Sequence, residues 1–278
     1  GPIIPPSIPM VLYALVSNTS IGFLFLAGIF PGLLMGFVLM AMNLWLSYRR
    51  NFSVEEPVPL KELPRTTFRA FPALMMPIIL LYGIYGGVTT PTEAAAVAVL
   101  YAGALAFAYR GIGVRDLPQI LLDATATTAI VLLLIAVSIA MSWIMAYVNL
   151  PQAIAAGVAA FENPIAVLLI INVVLLFVGV FMDMTPAILI FTPIFLPVAV
   201  ELGMDPVHFG IVMVLNLCIG LCTPPVGAVL FVGVGVANTT ITKVLRPLVP
   251  LFLAMVVALL VVTFVPALSL WLPRLLGY

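Results

Sequence analysis

The sequence predicts an all-α integral membrane protein, and three observations carry that prediction. Of its 278 residues 64% are hydrophobic and only 7% are charged, a balance that excludes an ordinary water-soluble domain. Mean hydropathy is +1.32, and apolar segments of about 20 residues, enough to cross a bilayer as a helix, recur along the whole chain rather than once as a leader or anchor. Paired prolines, Pro5-Pro6 and Pro224-Pro225, stand inside two of those segments. There a lipid-facing helix would lose backbone hydrogen bonds that no water replaces, so both breaks must face protein or a polar cavity.

The apolar runs, in order, are 1–17 (interrupted at Pro5-Pro6), 22–47, 70–88, 91–109, 124–147, 164–182, 186–200, 207–236 (interrupted at Pro224-Pro225) and 247–272. The 22–47 run ends at Arg49-Arg50 and, at about 1.5 Å per residue, crosses a bilayer with tilt. Thr90, Pro91 and Glu93 occupy N-cap, N1 and N3 of the next-but-one helix, a capping box; a proton-relay role for Glu93 is the less economical reading. The 110–128 stretch starts with basic residues and reads as an interfacial approach, with Asp116 and Asp123 in water. Only Asp183-Met184-Thr185 separates 164–182 from 186–200, too little for an aqueous loop. With Thr185 as N-cap and Pro186 at N1, and with Pro193 and Pro197 leaving little room for a regular second span, a re-entrant hairpin is expected. His208, just after Asp205-Pro206 at a helix start, reads as water-facing or capping. Cys218 and Cys222, four residues apart with no further ligand nearby, read as packing residues rather than a disulfide or zinc pair.

Charge placement orients these runs. With 164–200 entering and leaving on one side, the basic residues of loops 48–69, 110–118 and 238–246 all lie on one face, and only Arg274 lies opposite. The positive-inside rule makes that face cytoplasmic. Formal net charge is zero and no basic run exceeds two residues, so nothing points to nucleic acid.

An offset of 219 residues carries Gly1 onto Gly220, Pro5-Pro6 onto Pro224-Pro225 and Pro31 onto Pro250, and with a one-residue gap SNTSI (17–21) meets ANTTI (237–241). Under the orientation above, the two copies run in opposite directions. Inverted repeats with interrupted helices at mid-membrane are the pattern of secondary transporters, where freed carbonyls and half-helix ends hold a coupling ion or substrate; a proline kink packed on its neighbours is the alternative. The expected division is 1–60, the second half of a first repeat, and 61–278, a second repeat. The latter comprises scaffold helices 68–147, hairpin 164–200, broken helix 207–236 and final helix 247–272. Symmetry also leads us to expect about 140–160 residues ahead of Gly1.

Asp183 is the only ionisable residue between Glu162 and Glu201, and a carboxylate at mid-membrane must face a cavity, a partner or a cation; it would equally cap the returning helix. Thr223, Pro224, Pro225 and Gly227 supply a hydroxyl and unpaired carbonyls at the second break, and Pro5, Pro6 and Ser7 do so at the first. Such hard oxygen ligands suit Na⁺. Gly179 and Gly220 permit close backbone approach, or simply ease helix packing.

The stretches IIPPSIPMVLYALVSNTSIGFLFLAGIFPGLLMG, GGVTTPTEAAAVAVLYA, GVFMDMTPAILIFTPIFLPVAVELGMDPVHFGIVMVLNLCIGLCTPPVGAVLFV and PALSLWLPRLLG resemble the large membrane (M, or DctM-type) subunit of tripartite ATP-independent periplasmic transporters. The family's N-terminal region, with its first hairpin, has no counterpart in these residues. The resemblance implies an elevator-type importer in the bacterial inner membrane, driven by Na⁺ as coupling ion. It implies a periplasmic binding protein that delivers an organic acid (a C4-dicarboxylate, sialic acid or related sugar acid), a small Q-type membrane subunit, and no enzymatic activity or further cofactor. It also implies that Asp183, Met184, Thr185 and Pro186 form the second hairpin tip, facing Gly220–Gly227, with a Na⁺ near Asp183, Thr185, Gly220 and Thr223, and that Pro5-Pro6-Ser7 form half of another site. The rival readings are an ion-coupled carboxylate transporter without a binding protein and the permease of an ATP-driven importer. A membrane enzyme would need a cluster of Asp, His or Ser near one interface, and the sequence has none.

Overall fold

The computed structural model describes residues 2–50, 62–149, 163–223, 229–230, 234 and 240–277. Among them the regular structure is helical: α1 Ile8–Ser17, α2 Ile21–Arg50, α3 Glu62–Tyr85, α4 Pro91–Ala108, a 3-10 turn Val114–Asp116, α5 Leu117–Tyr147, α6 Pro164–Phe181, α7 Met184–Glu201, α8 Pro206–Leu221, α9 Ile241–Phe264 and α10 Ala267–Leu275. Among the described residues six helical stretches are long and apolar enough to cross a membrane. The protein is an all-α, multi-pass membrane protein.

The chain forms two compact units, 47–130 and the combination of 1–46 with 131–278. They cut across the division at residue 60 expected from the repeat, because a repeat is a unit of symmetry and a compact unit is one of packing. In the smaller unit α3 and α4 pack together, and the Tyr101 hydroxyl donates to the Pro72 carbonyl at 2.7 Å. The expected capping box opens α4: Thr90 Oγ1 accepts from the Glu93 N–H at 3.3 Å, while Glu93 Oε2 accepts from the Thr90 N–H at 2.7 Å. Both orphan donors are satisfied by side chains only three residues apart, so the motif needs no tertiary partner.

The larger unit is built around α8. From Val207 to Leu221 every residue but Cys218 is buried, and α6, α7, α9, α1 and α10 all pack on it. A helix apolar on every face can be enclosed on every face. Asp205 caps it, Oδ1 accepting from the Val207 N–H at 2.8 Å, and Pro206 fills N1, where its missing N–H costs nothing. α6 runs parallel to α8: Leu168 and His208 line one cavity near their starts, and Gly179 meets Gly220 near their ends. α7 runs back, so that its C-cap, Leu202, lines that same cavity. The two arms therefore start and finish at one level, joined only by Met182 and Asp183.

α1 runs antiparallel to α8. Pro2 and Ile3, ahead of α1, share a pocket with Leu221 and Cys222, whereas the Tyr13 hydroxyl reaches back to donate to the Pro206 carbonyl at 2.6 Å. The Tyr13 ring lies over Gly210, where a Cβ would come within 2.4 Å of it; only glycine lets α1 approach so closely. Tyr13→Phe is expected to keep the ring contact and lose the hydrogen bond, about 1 kcal/mol, read as a fall in thermal stability well short of that for Tyr13→Ala.

Several expectations are corrected. The 247–272 run is two helices, α9 and α10, separated at Val265-Pro266. Val265 is held at φ −120°, ψ 79°, outside the α region that a residue before proline avoids. The run expected to begin at 124 starts earlier, α5 opening at Leu117 directly after the 3-10 turn. α7 begins at Met184 with Asp183, not Thr185, at the N-cap position, and Pro186 falls at N3, where the N–H has no intrahelical partner to lose. Its 18 residues run through Pro193 and Pro197, so the hairpin is not marked by a short second arm. His208 is 1% exposed rather than water-facing, because α10 and the end of α9 cover the start of α8.

Candidate ion and substrate site

The break before α1 is closed by Ser7, whose hydroxyl donates to the Pro2 carbonyl and accepts from the Met10 N–H at 3.3 Å. Ser7 and Pro5 are buried, Pro6 is exposed, and Pro5-Pro6 is a cis peptide. The other break begins at the end of α8, where Thr223 Oγ1 donates to the Ile219 carbonyl at 2.7 Å and keeps its lone pairs. Pro224, Pro225 and Gly227 lie outside the described residues. Pro2 and Ile3 from the first break, and Leu221, Cys222 and Val229 from either side of the second, line one pocket of about 280 Å³ with Met35, Leu39 and Met255. Among the described residues its walls are apolar apart from the thiols of Cys218 and Cys222. Cys218 and Cys222 are free thiols.

The hairpin lies beside the second break. A Cβ at Gly220 would fall 2.6 Å from Gly179 Cα, and one at Gly179 would fall 3.1 Å from Gly220 Cα, so the last turns of α6 and α8 touch backbone to backbone. Two parallel helices thus end together, and the partial negative charge of each C-terminus falls at one place. Asp183 adds a carboxylate to that end. It is exposed and forms no side-chain cap bond with α7. Met184 is buried, and Thr185 and Pro186 are half-buried in the first turn of α7. Among the described residues no hydrogen bond joins Asp183 or Thr185 to Thr223. The N-termini of α1 and α7, with the opposite partial charge, favour an anionic group nearby.

One polar cluster was not singled out in the sequence. Asn216 Nδ2 donates to Asn172 Oδ1 at 2.8 Å and to the Asn172 carbonyl at 3.0 Å. Asn172 Nδ2 donates to the Leu168 carbonyl at 2.8 Å, and Thr263 Oγ1 lies 3.5 Å from Asn172 Oδ1. The cluster ties α6, α8 and α9, and its Thr263 also lines the cavity at the start of α8. A lone amide in LLIINVVLL and another in MVLNLCIG were the available signal, since polar groups in apolar runs need partners.

The model of the DctM component of tripartite ATP-independent periplasmic transporters matches residues 1–268. The chain belongs to the DctM family. Among its relatives is the uncharacterized protein YgiK of Salmonella typhimurium, 50% identical over 99% of this chain and 64% of that protein. The isethionate TRAP transporter permease protein DctMQ of Oleidesulfovibrio alaskensis is 43% identical over 98% of this chain and 43% of its own length. The C4-dicarboxylate TRAP transporter large permease protein DctM of Pseudomonas aeruginosa is 41% identical over 100% and 65%. The chain thus spans just under two thirds of YgiK and of that DctM. The DctM match runs through both interrupted segments, the hairpin and α8, the elements that meet in the geometry above.

Proposed function

We propose that this DctM chain belongs to a Na⁺-coupled importer of small organic acids in the bacterial inner membrane. A periplasmic binding protein delivers the acid, and a small Q-type subunit accompanies the chain. The carrying observation is the meeting of two antiparallel interrupted segments with a hairpin tip beside one of them. That arrangement supports a cation held by Asp183, the Thr185 and Thr223 hydroxyls and carbonyls around Gly220, where the C-termini of α6 and α8 converge. The neighbouring N-termini of α1 and α7 suit the substrate's carboxylate. C4-dicarboxylate and isethionate, named for two relatives, are both anions, and the fused name DctMQ fits a small-subunit partner. In this reading 164–200 is re-entrant, the segments 48–69, 110–118 and 238–246 are cytoplasmic, and the segments around the two breaks move as an elevator core.

The test is uptake into proteoliposomes holding the complete permease, with the binding protein outside. Uptake is expected to require the binding protein and an inward Na⁺ gradient, and to proceed without ATP. Asp183→Asn and Thr223→Val are each expected to raise the Na⁺ concentration for half-maximal uptake about tenfold, the effect of losing roughly 1.4 kcal/mol of ion binding. Uptake driven by ATP alone would refute the coupling; an unchanged Na⁺ requirement in both variants would refute the site.

A further inference from the structure

A second cavity, about 410 Å³ in volume, lies where α6 and α8 begin and α7 and α9 finish, at the opposite end of α8 from the breaks. That size suits a small-molecule site. Leu168, Phe264 and Leu270 give it apolar walls, and Asp205, His208 and Arg274 bring polar groups to it. His208 Nε2 lies 3.2 Å from the Thr263 carbonyl. A carbonyl can only accept, so Nε2 carries the hydrogen and, in the neutral ring, Nδ1 holds a lone pair. Nδ1 is buried and has no partner among the described residues, though an enclosed polar atom is normally paired. It calls for an N–H or O–H donor. The Asp205 carboxylate, with Oδ1 already on the Val207 N–H, calls for a cation, and the exposed Arg274 guanidinium for an anion.

The three demands fit one kind of ligand, a zwitterion whose cationic end carries hydrogens. The place of the cavity narrows the source, for it opens where three helices long enough to cross a membrane, α6, α7 and α9, begin or end. That is the level of the lipid headgroups. We propose that this cavity binds a phosphoethanolamine headgroup, that of phosphatidylethanolamine, with its phosphate on Arg274 and its primary ammonium shared by Asp205 and His208 Nδ1. A choline headgroup has no N–H to donate, and a glycerol headgroup has no cation for Asp205. The apolar walls then receive the glycerol end of the lipid. The site is separate from the ion and substrate site and does not rest on the function proposed above.

The test is native mass spectrometry of the full chain released from nanodiscs of equal phosphatidylethanolamine, phosphatidylcholine and phosphatidylglycerol. The wild type is expected to retain phosphatidylethanolamine about tenfold over either of the others. Arg274→Gln and Asp205→Asn should each lose most of that preference; asparagine keeps an acceptor for the Val207 N–H, so the helix cap survives. Melting in lipid-free detergent checks the fold of both variants, and added phosphatidylethanolamine should raise the melting temperature of the wild type only. Equal retention of the three lipids by the wild type, or an undiminished preference in both variants, would overturn the proposal. Stabilisation by free phosphoethanolamine with no lipid retained would give the cavity to a water-soluble zwitterion and overturn the lipid assignment.

Discussion

Gly220→Val is expected to separate the hairpin from α8, lowering thermal stability in detergent and abolishing uptake. A Cβ at this position would lie 2.6 Å from Gly179 Cα and 2.7 Å from Gly179 C. Both are backbone atoms of a helix, which cannot rotate aside as a side chain can. Overpacking a close-packed interior costs about 1–3 kcal/mol, and more where backbones must shift. The reciprocal position is less crowded, a Gly179 Cβ meeting its nearest atom at 3.1 Å. The order of damage is therefore Gly220→Val, then Gly220→Ala, then Gly179→Ala. Because the contact lies one turn before both Asp183 and Thr223, uptake should fall in the same order. A Gly220→Val protein as stable as Gly179→Ala would show that the helices do not touch there.

Asn216→Leu is expected to destabilise the protein by about 1 kcal/mol: it takes the donor from Asn172 Oδ1 but also removes Asn216 Oδ1, itself buried with no partner among the described residues. Asn216, Asn172 and Thr263 are 0, 3 and 2% exposed, so no water takes the place of the lost amide. Asn172→Leu should cost a similar amount, by leaving the Asn216 amide without its acceptor. Removing both amides removes donor and acceptor together, and the double variant should be more stable than the sum of the single losses implies, by about 1 kcal/mol or more. Full additivity in this double-mutant cycle, measured by thermal or denaturant unfolding, would show that the pair is not coupled.

The sequence was most informative where a feature is decided locally. The Thr90–Glu93 box, the start of α8 behind Asp205-Pro206 and the ends of most apolar runs follow from groups within a turn of one another. The match of α9's end to a proline was equally local, yet it was missed: hydropathy continues through Val265-Pro266 although the backbone cannot. At the hairpin the Asp-Met-Thr separator announced a tight join, but which residue heads the returning helix depends on where orphan N–H groups fall, and a proline is tolerated anywhere in that first turn.

By itself the sequence determined the class of the protein, most of its helices and the break ahead of α1, because hydrocarbon forbids unpaired backbone groups and proline removes a donor. Only the tertiary structure decided which helix lies at the centre and which residues meet. In α8, Tyr13's partner Gly210, the amide Asn216 and the contact residue Gly220 sit in a run apolar on all sides. When lipid and core are both apolar, the 3.6-residue contrast that marks a buried face disappears. Partners are then chosen by shape and by the pairing of rare polar groups, and those are properties of two surfaces together.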